Sequence, residues 1–339
     1  MPDLLAERKG GVVLVTLNRP DALNALNSFM IQEFGRVLDK AQTDKTIHGI
    51  VLVGAGDRAF CAGGDIKIAR EGGLAWKAGE AKLDPMLEFF AEEYALNRRL
   101  FHFAKPIVAV MDGITMGGGV GLAAPCKFRI ATTRTRWAMP ETGIGFFPDV
   151  GAGYYLTRMP GLIGRYLGLT GNGLQSVRDM MACKIATHFM STESVPKLVE
   201  NLIASPNEEA FIAAIASGDI PVDMPRALDR ERINKYFAPD TVEDIIYGLE
   251  WADNDEWARE TAATLRQKSP TSLKVTLAHL KAAEKESFDQ VSGRDLVLAE
   301  FCLHGEDLYE GVRAAVVDKD KNPKWSPAKL EDVPAFDFS

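Results

Sequence analysis

The chain has 339 residues, 46% of them hydrophobic and 25% charged, an ordinary globular composition with room for one large domain or a domain with a sizeable appendage. Its net charge of −8 argues against non-specific nucleic-acid binding, which needs basic surface to neutralise phosphates. Four widely spaced cysteines without a CxxC pair and five scattered histidines oppose a disulfide framework and a zinc site, so no metal is expected. No apolar run reaches the ~18 residues that suggest a membrane span, so no membrane partner is expected. Residues 1–20 lack the pattern of a secretory or transit peptide, and AFDFS at the end is not a targeting signal; a cytoplasmic location is expected.

In chain order, residues 11–17 form a β-branched run that predicts a strand. Residues 28–42 have helical spacing through Phe29, Ile31, Phe34, Val37, Leu38 and Ala41. A buried strand is predicted at 50–53, a long amphipathic helix at 85–103 and another strand at 107–111, ending in Asp112-Gly113. Residues 117–124 predict a helix start packed closely through glycine, and short strands follow at 128–131 and 136–138. This alternation implies an α/β layered core. After about residue 160 strand-like runs give way to helical patterns at 193–204, 208–217, 242–251, 256–268, 272–284 and 288–304. The expected organisation is an α/β core over 1–200 with a helical region over 201–339 packed on it.

The chemistry concentrates where Glu141 and Asp149 stand in an otherwise uncharged, apolar and glycine-rich run over 138–155. A carboxylate there loses solvation, which favours its neutral form unless a partner opposes it, so a shaped site is the first hypothesis. Glycine-containing loops at 54–66, 111–121 and 141–153 follow strands and can turn backbone amides toward a ligand. Two such amides on one oxygen would form an anion hole for carbonyl chemistry, although a GGG run serves close helix packing equally well. The loops fit neither GxxxxGK[ST] nor a GxGxxG nucleotide fingerprint, and no GxSxG motif marks a serine nucleophile.

Four segments carry a resemblance: NRPDALNALN at 18–27, GAGDRAFCAGGDIK at 54–67, AKPIVAVMDGITMGGGVGLA at 104–123 and MPETGIGFFPDVGAGYYL at 139–156. In this order they resemble the crotonase superfamily, the enoyl-CoA hydratase/isomerase fold. That implies a ClpP-like spiral of ββα units, here with an extended helical C-terminal region. EEYALN at 92–97, PETGIGFFPDVG at 140–151, SPTSLK at 269–274 and DKDKNPKW at 318–325 resemble, within it, the 3-hydroxyisobutyryl-CoA hydrolases. Hydratases of the superfamily carry a catalytic glutamate two residues after the third glycine of MGGGVGL; here that position is Gly121, and only the second glutamate, Glu141, is retained.

The resemblance implies a role for each matching residue. Gly64 and Gly118 would supply the oxyanion-hole amides, and Glu141 the principal catalytic carboxylate, as nucleophile or general base. Asp149 would be a substrate-contacting acid, although an N-cap before a helix starting near Val150 is its plain alternative. Glu93 would line the substrate pocket. Backbone near Leu23 and Ala25, and from Ala62 through Gly64 and Asp65 to Ile66, would hold coenzyme A, which enters as part of the substrate; no separate cofactor is implied. Arg19 and Lys67 are candidates for its phosphates, and Met116, Trp137, Phe146 and Phe147 for apolar walls or plain core. The implied function is hydrolysis of a short 3-hydroxyacyl-CoA, as in valine degradation. The rival readings are an enoyl-CoA hydratase or isomerase, disfavoured by Gly121, and a non-catalytic acyl-CoA-binding subunit. Homo-oligomers are common in the superfamily and are a further expectation.

Overall fold

The computed structural model describes residues 1–80, 82, 84–215 and 226–338. The chain forms two compact units whose segments alternate along the sequence: Met1–Asp65, Glu92–Trp137 and Leu174–Ala227 in one, Ile66–Ala91, Ala138–Gly173 and Leu228–Ser339 in the other.

The first unit is built on β-sheet. Its strands are β1 (Leu4–Lys9), β2 (Val12–Leu17), β3 (Gly49–Gly54), β4 (Ala59–Cys61), β5 (Ile107–Met111), β6 (Ile114–Met116), β7 (Phe128–Thr132), β8 (Arg136–Ala138) and β9 (His188–Met190). The main sheet runs β1-β2-β3-β5-β7-β9, antiparallel at β1–β2 and parallel thereafter, with Leu14 opposite Val51 and Val51 opposite Val108. The central strands read as unbroken apolar runs because both faces are covered, and IVAVM of β5 is buried throughout. At the edge, β1 exposes Glu7, Arg8 and Lys9, charges that discourage pairing with another chain. A smaller sheet, β4-β6-β8, carries the loops between them.

Helix Ser28–Thr43 starts where Asn27 accepts from the Met30 N–H, and it buries Met30, Ile31, Phe34, Leu38 and Ala41 along one stripe. Helices Val195–Ile203 and Glu208–Ile215 also belong to this unit. Their Leu198, Leu202, Phe211 and Ile215 form one buried cluster with Val12, Val51, Val108, Val110 and Ile130 of the sheet. The last two residues of the helix predicted at 208–217 lie outside the described residues. Strand β9 corrects the expectation that strands end before residue 160: it is three residues long, too short to show a period, and it adds to the sheet beside β7. For the same reason β4 and β6 were not legible; helix Ile66–Lys77 was missed too, its Gly72 and Gly73 weakening the helical signal.

The second unit is helical among its described residues. Thr241, Asp255, Ser269 and Ser287 each accept from the backbone N–H three residues on, fixing the starts of helices Val242–Glu250, Glu256–Arg266, Pro270–Ala283 and Phe288–His304. Ser287 and Gln290 complete a reciprocal capping box. Leu249, Leu265, Leu273, Leu280, Val291 and Leu303 fill its core.

Candidate active site

In the first unit, loops 23–26 and 62–65 are laced together by Leu26 N to Gly63 O (2.8 Å), Ala62 N to Leu23 O (3.0 Å) and Asp65 N to Leu26 O (2.9 Å). Leu23 and Asn24 take left-handed backbone with φ of 52° and 56°. Asn24 affords this because its buried side chain donates to Ala55 O and Ala59 O and accepts from Arg19 N, all at 2.9 Å. In loop 62–65 the lacing uses the N–H groups of Ala62 and Asp65 and the carbonyl of Gly63, and leaves the N–H of Gly64 out. Gly118 opens helix Gly118–Ala123, so its N–H has no acceptor within the helix. A Cβ at Gly118 would lie 3.3 Å from Gly64 N and collide with Glu93 Oε1. The two amides and the Glu93 carboxyl are therefore neighbours, and only glycine leaves room for them.

Glu93 is 2% exposed in helix Asp84–Phe101. Burial pushes the nearby Cys61 thiol up to about 12, and the charge of Glu93 adds to that. Asn97, one turn after Glu93, is wholly buried, and neither of its amide atoms has a hydrogen-bond partner among the described residues. Sequence reasoning passed over it; its signal was the i,i+4 spacing within EEYALN.

In the second unit, Glu141 and Asp149 are 5% and 6% exposed. Burial holds the Glu141 carboxyl well above the usual glutamate range, and the negative charge of Asp149 raises it further. Glu141 Oε2 is buried with no hydrogen-bond partner among the described residues. Glu141 begins the short 3₁₀ turn Glu141–Ile144, closed by Gly145 at φ 74° and by Phe146 N donating to Glu141 O. A Cβ at Gly145 would collide with Asp307 O. Asp307 accepts from Ser269 Oγ (2.5 Å) and from Ser326 N (2.7 Å), so SPTSLK and the residue that follows DKDKNPKW meet at the residue bracing the Glu141 turn. Lys268, also not singled out from sequence, has its Nζ 3.4 Å from where a Cβ at Gly143 would stand, and burial lowers its ammonium.

Asp149 is not the N-cap of the following helix. That helix is Ala152–Leu156, with Gly151 at the N-cap, and the backbone oxygen of Asp149 accepts the Ala152 N–H. Its charge also adds to burial in raising the Cys302 thiol, which sets it beside helix Phe288–His304. Of the phosphate candidates, Arg19 is committed internally, donating to Ala25 O (2.7 Å) and Asp65 Oδ2 (3.0 Å), while Lys67 is exposed. Trp137, Phe146 and Phe147 are buried, and Phe146 stacks on Phe90 with centroids 5.4 Å apart. Among the described residues no helix is long and apolar enough to cross a membrane.

Residues 12–338 match the family described as enoyl-CoA hydratase/isomerase. The mitochondrial 3-hydroxyisobutyryl-CoA hydrolase of Rattus norvegicus is 42% identical over 99% of this chain and 88% of its own length. The Homo sapiens protein of the same name is 41% identical over 99% of this chain and 87% of its own. Among solved structures, a carnitinyl-CoA dehydratase from Mycobacterium thermoresistibile has a TM-score of 0.90 at 36% identity, covering 98% of this chain and 94% of that one. An enoyl-CoA hydratase from Rhodobacter sphaeroides has a TM-score of 0.86 at 33% identity, covering 98% and 95%.

Proposed function

Because the chain belongs to the enoyl-CoA hydratase/isomerase, or crotonase, family, we propose that it hydrolyses 3-hydroxyisobutyryl-CoA to 3-hydroxyisobutyrate and CoA, a step of valine degradation. One observation carries this choice within the family. Glu141 offers a buried carboxylate oxygen without a protein partner among the described residues, while Gly121 stands where hydratases hold their other glutamate. Addition of water across a carbon–carbon double bond uses both acids; cleavage of a thioester needs one acid and an anion hole. The hydrolase relatives, at 41–42% identity over nearly the whole chain, support the same choice.

In the proposed reaction the N–H groups of Gly64 and Gly118 stabilise the negative charge that develops on the thioester carbonyl oxygen; losing one such donor typically costs ~10²–10³ in rate. Glu141 either attacks the carbonyl carbon, giving an anhydride that water opens, or takes the proton of an attacking water. In both routes the C–S bond breaks, the sulfur leaves as thiolate and gains a proton, and water supplies one oxygen of the product carboxylate. One or both of Asp149 and Glu93 are assigned to the 3-hydroxyl, which has a single proton to donate and two lone pairs to accept with. Leu23, Ala25, Ala62, Gly64, Asp65 and Ile66 are assigned to coenzyme A through their backbone. The four cysteines are free and buried, which fits the proposed reducing, cytoplasmic location. Self-association is proposed from the habit of the family, and sedimentation as a monomer alone at micromolar concentration removes it.

The purified chain is expected to release thiol from 3-hydroxyisobutyryl-CoA, and from 3-hydroxypropionyl-CoA within about 200-fold, since a methyl in an apolar pocket is worth only ~1–3 kcal/mol. Isobutyryl-CoA, lacking the hydroxyl, should be poor. Efficient hydration of crotonyl-CoA without thiol release would overturn the reading in favour of a hydratase; binding of acyl-CoA without turnover would favour a non-catalytic subunit.

A further inference from the structure

The turn that carries Asp149 is held in an unusual backbone. Val150 has φ 53° and is buried, and Gly151 follows at φ 76°. A β-branched residue in the left-handed region is a steric outlier that persists only when its surroundings over-determine it. Glycine would adopt this conformation freely, so something must hold valine there.

Asp295 of helix Phe288–His304 meets the turn one residue on, at Gly151. Its Oδ2 accepts from the Gly151 N–H at 2.7 Å, and the side chain is wholly buried. Behind it stands a chain of polar groups. His279, also wholly buried, brings Nε2 to 3.1 Å from Asp295 Oδ1, close but off the direction of a hydrogen bond. His279 Nδ1 lies 3.0 Å from Arg294 Nε, which can only donate; the imidazole proton is thereby assigned to Nε2, facing Asp295. Arg294 is in turn held by both carboxylate oxygens of Glu286. The turn is pressed against this chain. A Cβ at Gly153 would lie 2.6 Å from His279 Nε2, and one at Gly151 would collide with the Phe288 ring.

A wholly buried acid is costly, and where packing is the only need an apolar residue of similar size serves as well or better. Here the row of charges and dipoles ends on one backbone N–H, two residues from Asp149, as a charge-assisted bond. We infer that Asp295 is a positioning residue for Asp149: through the Gly151 N–H it fixes the left-handed turn at Val150 that aims the Asp149 carboxyl at the substrate. This role presupposes the reading of Asp149 as a substrate-contacting acid.

The test is a double-mutant cycle in the full-length protein, with kcat and KM measured on 3-hydroxyisobutyryl-CoA and isobutyryl-CoA and Tm recorded for each variant. Asp295→Asn, which keeps shape and an acceptor but loses the charge, should lower kcat about 10–100-fold on the hydroxylated substrate with KM little changed, as expected when a reacting group is slightly misplaced. In an Asp149→Ala background the same change should cost less than about 3-fold, because the group being aimed is gone. Adding Val150→Gly to Asp295→Asn should recover part of kcat, since glycine takes the turn without being held. A purely structural Asp295 predicts instead equal losses in both backgrounds that follow Tm, and that result overturns the inference. So does an Asp295→Asn protein that stays unfolded even with Val150→Gly. If Asp149→Ala alone leaves kcat and the preference for the hydroxylated substrate unchanged, the role given to Asp149 fails, which is a distinct outcome from additivity in the cycle.

Discussion

At Glu141 and Asp149, two buried acids lie within electrostatic reach of each other, and their placement costs stability. The Glu141 carboxyl is raised first by burial and second by Asp149, so it ionises at higher pH in the folded chain than in the unfolded one. Below the unfolded value both states are protonated and nothing is lost. As pH rises through the folded value, ionisation inside the protein becomes a penalty. Glu141→Gln removes that penalty, so its Tm should exceed that of the parent at neutral pH and the gap should close as pH is lowered. The same variant should lose about 10²–10⁴ in kcat, the usual worth of a positioned base. An inactive variant that gains no stability at any pH would mean that Glu141 is not the strained acid described here. Asp149→Asn removes the second cause only. The acid limb of kcat/KM should therefore move to lower pH without reaching the range of an exposed glutamate, because burial remains. A limb that stays fixed or moves up would show that Asp149 carries no charge when Glu141 titrates.

Among elements, the short turn Glu141–Ile144 depends on helix starts remote in sequence. Ser269 caps helix Pro270–Ala283 by accepting from Ser272 N at 3.0 Å, and donates to Asp307, whose backbone oxygen leaves no room for a side chain at Gly145. Ser269→Ala loses the cap, worth about 1 kcal/mol. It also strips a donor from a carboxyl that burial already raises, at a further ~1–3 kcal/mol. A chemical-denaturation midpoint lowered by the sum, about 2–4 kcal/mol in stability, is the expected result. A loss below about 0.5 kcal/mol would mean the Ser269–Asp307 pair is not formed in solution. Element type was largely legible where a period could develop: helix Phe288–His304 and strand Ile107–Met111 have the predicted bounds. Of the three-residue strands, β8 has the predicted bounds, while β9 offered no period and owes its state to the neighbour it pairs with.

For the molecule as a whole, the interleaving of the two units has a mechanical consequence. Helix Val195–Ile203 runs across residue 200, and Leu202, Phe211 and Ile215 complete the buried cluster on the sheet. A fragment ending at 200 would leave that face open. It should bind a hydrophobic dye and give poorly dispersed amide NMR signals, whereas a well-dispersed spectrum would show that the sheet does not need those helices. In the full chain Phe211→Ala should cost about 3–5 kcal/mol, the usual loss for a buried phenylalanine.

By itself the sequence determined the α/β character of the first half, the helices of the last third, the glycine loops and the choice of Glu141, Asp149, Gly64, Gly118 and Glu93 as the residues to follow. The elements, the loops and the two acids of 138–155 rest on local signals, namely periodicity, turn residues and acids set among apolar neighbours, whereas Gly64, Gly118 and Glu93 rest on the resemblance to the crotonase superfamily. The neighbourhood of Gly118, Gly64 N and Glu93 Oε1 was decided only by tertiary structure, because those residues come from three separate stretches of chain. The same holds for Asp295 beneath Gly151, separated from it by 144 positions. A hydrogen bond across such a distance leaves no period in the sequence; a lone Asp on a helix reads as solvated surface until packing buries it, and burial is a property of the folded chain.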